Sequence, residues 1–286
     1  MKLKIAINMK VRRKLYYNIS PKMRLFVRKV FFLPIDIWET IKGKRHKYEP
    51  LKGDIYIGSG DFIAQGVDQL KLLKKYIKLD PEDAVLDVGS GIGRTAVALT
   101  EYLTSKGKYE GFDVVEKGVK WCNKKITKDF PNFNFLYVPL NNDLYNKSKG
   151  ESQNFKFPYE DASFNKVFLF SVFTHMPVEE IGHYLCEIKR ILKPGGLCLS
   201  TFFIYTTRNE EMIANNNNFS FPVKKDEYRL MSNTVKSANI ALKNDLLDKL
   251  IAKAKLEKLK TIEGFWKLDI LKHPDNNFQD IIILKS

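Results

Sequence analysis

The sequence predicts an α/β domain: a seven-stranded, mostly parallel sheet with helices on both faces and an antiparallel hairpin at its C-terminal edge. Three observations predict it. From residue 52 onward, short apolar runs alternate with segments whose apolar residues recur at helical spacing, the pattern of strands joined by crossover helices. The run "AVLDVG" (84–89) is apolar at nearly every position, as in strands buried on both faces of a parallel sheet. The last two strand-like runs have no helix between them, so they pair antiparallel.

Residues 1–51 stand apart as a basic, aromatic-rich extension, and the sheet domain occupies 52–286. "VDQLKLLKKYI" (67–77) reads as a helix and "DPED" as the loop before the first strand. A helix is expected from Gly93 to about Thr104, a strand at 109–115, a helix in "EKGVKWCNKKITKDF" and a strand at 133–138. The following stretch is dense in Asn, Gly, Ser and Pro and reads as irregular loop. "NKVFLFSVF" (165–173) is the fourth strand. "VEEIGHYLCEIKRIL" (178–192) is an amphipathic helix with acids in its first turn and Lys189 and Arg190 near its end, as the helix dipole favours. "KPGG" (193–196) reads as its stop signal. "LCLSTFFI" (197–204) is the fifth strand, and a polar section from 205 to about 243 reads as an insertion over the top of the sheet. A helix at 245–254 and strands at 256–268 and 278–285 close the domain.

With 286 residues and 44% hydrophobic content, the chain can bury a substantial core. Its charge is unevenly spread. Residues 1–50 hold 14 Lys or Arg against three acids, which is +11 of the formal +15. Cys122, Cys186 and Cys198 show no metal-ligand spacing and read as buried thiols of a reducing compartment. Arg and Lys interrupt any signal-like apolar core near the N-terminus, and "VFFLPI" is far short of the roughly 20 residues that cross a bilayer. The expected location is cytoplasmic.

The chemistry concentrates in "AVLDVGSGIGRTAVAL" (84–99). The dinucleotide fingerprint G-x-G-x-x-G places its third glycine where this chain has Arg94, which disfavours NAD. No Gly-Lys-Ser/Thr follows, which excludes a P-loop. Asp87 precedes Gly89 at the strand's end, and Asp113 lies 20 residues beyond Gly93 at the end of the next strand, placed to accept from a ribose diol. Two carboxylates around the bend repel a pyrophosphate and attract a cationic nucleoside. The expected ligand is S-adenosyl-L-methionine.

At these residues the chain resembles the class I S-adenosylmethionine-dependent methyltransferases. "VLDVGSGIGR" is similar to their first motif, "GFDVVEKGV" to the acidic ribose-binding motif, and "FPYEDASFNKVFLFSVFTHM" and "LKPGGLCLSTFF" to their fourth- and fifth-strand regions. "YIGSGDF" (56–62) resembles the entry segment of one subgroup, where it covers the methionine part of the cofactor. The resemblance implies a Rossmann-like fold and a set of roles. Gly89, Ser90, Gly91 and Gly93 would let backbone approach the cofactor, Asp87 would anchor its ammonium, Asp113 its ribose, and Val114 its adenine. Asn142 or Asp143 would contact the adenine amine, and Ser171 at the fourth strand's end is a further cofactor contact.

His175 follows the fourth strand on the rim where donor meets acceptor, and an imidazole suits a general base. The expected reaction is metal-independent O-methylation of a small-molecule or carbohydrate-like acceptor, in one form lipid-linked. The extension suits an anionic membrane surface, an RNA backbone, or a helix packed over the domain's entrance. An RNA methyltransferase using the basic arm and a non-catalytic cofactor-binding protein are the alternatives. "SVFTHM" after the fourth strand lacks the catalytic cysteine or Asn-Pro-Pro-Tyr-type motif of base methylases.

Overall fold

The computed structural model describes residues 19–58, 60–140, 155–216, 219–235, 238–267 and 270–286. Its main sheet comprises β1 (Ala84–Val88), β2 (Lys108–Asp113), β3 (Phe133–Tyr137), β4 (Phe164–Leu169), β5 (Leu192–Phe202), β10 (Glu257–Ile262) and β11 (Asp280–Lys285). The strand order is β10-β11-β5-β4-β1-β2-β3. The pairs β1/β2, β1/β4, β2/β3 and β4/β5 are parallel, while β11 runs antiparallel to both β5 and β10. The seven-stranded sheet and its closing antiparallel hairpin are therefore as the sequence predicts.

Alternation along the strands sends neighbouring side chains to two cores. Leu86, Val88, Phe112 and Val167 pack with Ile181, Leu185 and Ile188 on one face of the sheet. Val85, Phe168, Leu199 and Ile283 pack with Leu73, Ile77, Ala96 and Leu99 on the other. The helices that supply these layers are α2 (Phe62–Ile77), α3 (Arg94–Thr100), α4 (Glu116–Cys122), α5 (Val178–Ile191) and α7 (Asn244–Lys253). Asp61 caps α2 by accepting from Ala64 N at 2.7 Å, which satisfies one of the amides that a helix start leaves open.

Some boundaries differ from the sequence reading. The helix after the glycine turn stops at Thr100 rather than near Thr104. The helix after β2 becomes a π-helix over Asn123–Thr127. "KPGG" does not form a separate stop, because α5 ends at Ile191 and Leu192–Phe202 already run as β5, with a register irregularity that absorbs Pro194. Cys122 and Cys198 are buried as expected, but Cys186 is exposed. The inward stripe of α5 is Ile181, Tyr184, Leu185, Ile188 and Ile191, and position 186 falls beside it.

Residues 204–243 contain regular structure that their polar composition does not suggest. β6 (Ile204–Tyr205), β7 (Val223–Lys224), β8 (Tyr228–Leu230) and β9 (Ile240–Lys243) form a second sheet in the order β6-β9-β8-β7, with α6 (Glu210–Asn215) beside it. Phe203, Tyr205, Ile213, Phe221, Ala241 and Trp266 make its core. Buried Arg229 binds Glu210 and the carbonyls of Phe221 and Pro222. Asp280, fully buried, joins this unit to the main sheet: it accepts from Ile204 N, Gly264 N and Trp266 Nε1 and pairs with Lys267 at 2.9 Å.

The extension forms helix α1 (Pro21–Ile41), capped by Ser20 and docked on a single 3-10 turn at Lys52–Asp54. No helix among the described residues is long and apolar enough to cross a membrane.

Candidate functional site

The strand order reverses at β1, and such a reversal leaves a crevice beyond the strands' C-terminal ends. A cavity of about 1070 Å³ occupies that place. The glycine turn forms its base. Gly89, Gly91 and Gly93 take φ of 78°, 59° and 79°, the left-handed region that side chains enter at a cost of roughly 1–2 kcal/mol. A Cβ on Gly89 would also lie 2.5 Å from Val172 Cγ2.

Two carboxylates stand around this turn. Asp113 Oδ2 accepts from Gly91 N at 2.8 Å and Oδ1 from Val115 N at 2.7 Å. Gly89 N and Ser90 N donate to Phe112 O, which ties the turn to β2. An ionised carboxylate has about four lone-pair sites, more than the three backbone donors around Asp113 (Gly91, Val114 and Val115) use. Asp87 Oδ2 accepts from the buried Tyr109 hydroxyl at 2.8 Å. Burial pushes the Asp87 carboxyl up to about 7; the Tyr109 hydrogen bond opposes this, and the nearby Asp113 charge adds to it. Burial likewise pushes Asp113 up to about 6 against its backbone hydrogen bonds. Among the described residues, neither group has a cation that offsets its burial.

Ile57 and Gly58 also line the cavity, held by Arg94, whose guanidinium donates to Ile57 O at 2.6 Å. Burial lowers Arg94 to about 10. At the end of β4, Ser171 adopts φ 63°. Its N–H donates to Thr201 Oγ1 and its Oγ accepts from Gln279 Nε2, both at 2.7 Å, so β5 and the segment before β11 hold the strained residue. His175 ends the short 3-10 turn that follows and lines the same cavity. One wall is aromatic. Phe278 lies 6.0 Å from Phe203, 5.1 Å from Phe219 and 5.5 Å from Phe265 between ring centroids, and all four rings line the cavity.

The structure therefore brings Asp87, Gly89, Ser90, Asp113, Val114, Ser171 and His175 to one cavity. Gly91 and Gly93 are not in its lining: Gly91 is covered by Ile57, and Gly93 packs against Cys122 and Ile126. They shape the turn rather than face the space. Asn142 and Asp143 lie outside the described residues. No residue of 19–51 lines the cavity, so this part of the extension does not cover its entrance. Among the described residues, no group of three His, Cys, Asp or Glu is placed to hold a metal. Sequence reading missed Tyr109, Gln279, the backward reach of Arg94 and the aromatic wall.

Residues 86–200 match the family model described as a methyltransferase domain. The chain's matched span runs from the first strand's Leu86 to Ser200 in β5, and so contains the glycine turn, the acid pair and His175. It is 30% identical over 117 residues to a phthiotriol/phenolphthiotriol dimycocerosates methyltransferase of Mycobacterium ulcerans, covering 41% of this chain and 36% of that protein. It is 26% identical over 141 residues to the ubiquinone/menaquinone biosynthesis C-methyltransferase of Wigglesworthia glossinidia brevipalpis, covering 49% and 51%. The chain thus matches only about a third to a half of the length of these curated relatives. The fold is similar to that of the PH0226 protein of Pyrococcus horikoshii, with TM-score 0.54, 16% identity and coverage of 82% and 94%. It is also similar to the 1,6-didemethyltoxoflavin-N1-methyltransferase of Burkholderia thailandensis, whose structure holds S-adenosylhomocysteine, with TM-score 0.51, 14% identity and coverage of 94% and 91%.

Proposed function

We propose that the chain is an S-adenosylmethionine-dependent methyltransferase that methylates a hydroxyl of a small-molecule or carbohydrate-like acceptor, lipid-linked in its most specific form. The observation that carries this reading is one continuous cavity lined by the buried acid pair, His175 and four phenylalanines.

The donor end suits the cofactor. Gly89 lines the cavity without a side chain, and Ser90 Oγ is buried with no hydrogen-bond partner among the described residues. Asp113 would hold the ribose hydroxyls through its remaining lone pairs, Val114 would pack on the adenine, and Asp87 would anchor the ammonium. Ser171 would face the bound methionine moiety. Bound there, the cofactor supplies a methyl group activated by its sulfonium. The protein's own part is to align, to exclude water and to move a proton. His175 is the base that takes the acceptor's hydroxyl proton. Phe203, Phe219, Phe265 and Phe278 hold an apolar or ring face of the acceptor, as apolar linings with few polar groups do. Attachment of residues 1–51 to an anionic membrane surface, at the cytoplasmic face, would bring the enzyme to a lipid-linked acceptor.

The test is incubation of the chain and labelled S-adenosylmethionine with cell extract separated into lipid, glycan, RNA and small-molecule fractions. Label is expected in the small-molecule, glycan or lipid fraction as a base-stable ether. Label in RNA, on nitrogen or carbon, or in no fraction despite cofactor binding would overturn the proposal.

A further inference from the structure

Helix α1 is amphipathic in the inverted sense: its polar stripe faces the protein and its apolar side faces outward. The inward stripe is made of Arg28, Asp36 and Glu39 with Phe32. Asp36 accepts from Lys52 N at 2.7 Å and Gly53 N at 2.9 Å, Arg28 Nε donates to Lys52 O at 3.0 Å, and Glu39 pairs with Lys52. Lys29 reaches Asp54 at 3.2 Å from the edge of this stripe. A Cβ on Gly53 would lie 2.9 Å from the Lys29 Cα, so the helix sits directly on backbone. Meanwhile Met23, Phe26, Val27, Val30, Phe31, Leu33, Ile37, Trp38 and Ile41 are all exposed, Phe31 by 70% and Ile41 by 77%.

Both acids of the helix are consumed by the inward contacts, so the outer side carries no carboxylate. Cations frame it instead. Lys29 is half exposed, Lys42 and Lys44 are exposed, and the Lys44 ammonium lies 4.6 Å from the Trp38 ring centroid. Six more Lys or Arg stand in residues 1–18.

We infer that α1 lies in the plane of an anionic lipid surface with its apolar side inserted. An apolar band flanked by Lys and Arg and carrying Trp suits the headgroup boundary, where the ring and aliphatic groups leave water and the cations meet lipid phosphate. The 21-residue helix is too charged to span a bilayer. A second copy of this chain is the poorer occupant, because two extensions of the same strong positive charge repel one another. The inference deepens the membrane attachment named above, yet its test reads lipid binding without any methyl transfer. The helix is coupled to the cavity: the turn at Lys52–Asp54 that it grips leads within two residues to Tyr56, Ile57 and Gly58 in the cavity lining.

The experiment is sedimentation of the full chain with vesicles of phosphatidylcholine alone and of phosphatidylcholine with phosphatidylserine. The chain is expected to sediment with the anionic vesicles and to be released by salt, while Trp38 emission shifts to the blue, a shift absent in Trp38→Phe. Phe31→Glu should weaken binding about tenfold, and Phe31→Glu with Ile41→Glu should abolish it. Both positions are exposed, so cofactor affinity and the thermal midpoint should stay unchanged. A chain that stays in the supernatant with anionic vesicles would overturn the inference. So would a concentration-dependent dimer that Phe31→Glu dissociates, since that result gives the face to a second copy.

Discussion

The Tyr109 hydroxyl of β2 donates to Asp87 Oδ2 of β1 across 2.8 Å, at the buried base of the glycine turn. The bond opposes the burial that pushes Asp87 up to about 7, so it helps keep the carboxylate charged when a cationic ligand arrives. Tyr109→Phe removes the donor and raises the Asp87 pKa further. S-adenosylmethionine affinity should fall near pH 7 and recover as pH rises. Titration calorimetry across pH measures this; equal affinities for both proteins at pH 6.5 would show that Asp87 does not face the ammonium.

The same acid pair gives the ligand-free protein a pH-dependent stability. Asp87 at about 7 and Asp113 at about 6 both lie above the unfolded value of about 3.9. The fold therefore holds protons that the unfolded chain has lost. Their unfavourable contribution is absent below about pH 4 and grows as pH rises through the two folded values. Urea midpoints should decline over that window less steeply in Asp87→Asn than in the wild type. Binding a cationic ligand near pH 6.5 should release protons, seen as a binding enthalpy that changes with the buffer's ionisation heat.

His175→Ala should lower kcat by roughly 10²–10⁴-fold, the usual weight of a general base, with the Kd for S-adenosylmethionine unchanged. Single-turnover kinetics with equilibrium dialysis separates the two quantities. An unchanged kcat would leave His175 a structural role only.

Asp280 is fully buried and answers four donors, Ile204 N, Gly264 N, Trp266 Nε1 and Lys267 Nζ. Asp280→Ala leaves the ammonium of Lys267, 5% exposed, without its buried partner. It should destabilise the fold by about 3–5 kcal/mol, measured by urea unfolding. Asp280→Leu with Lys267→Met, which removes both charges, should recover part of the loss.

Gly89→Ala must hold a φ of 78° and place a methyl 2.5 Å from Val172. A cost of roughly 1–3 kcal/mol is expected in unfolding experiments. Cofactor binding should weaken more than this stability change explains, because the methyl must displace Val172, which lines the same cavity.

The succession of strands and helices, the closing hairpin and the acid at the end of β2 were legible because they rest on local signals: period, turn residues and a 20-residue spacing from Gly93 to Asp113. Tyr109 was hidden, although Gly111 carried its trace. A glycine inside a strand marks close approach, and a Cβ there would meet the Tyr109 hydroxyl at 2.9 Å. Gln279 meets Ser171 across 108 residues, a pairing set by β11 returning beside β5 and invisible to any local pattern. The second sheet escaped notice because its strands are two to four residues long, too short to show alternation. The inward polar stripe of α1 escaped for another reason. Periodicity reveals that a helix has two unlike sides, and only the contacts at Lys52–Asp54 show which side the protein keeps.

Two parts of the cavity's lining are drawn from stretches of chain that do not overlap. The glycine turn, the acid pair and the Arg94 strap lie within residues 56–115, while the four phenylalanines lie within 203–278. Substitutions can therefore accumulate in the aromatic wall, altering which molecules enter, while the glycine turn and the acid pair keep their geometry. Asp280 marks the limit of that freedom, since it fastens Ile204 and Trp266, beside that wall, to the main sheet.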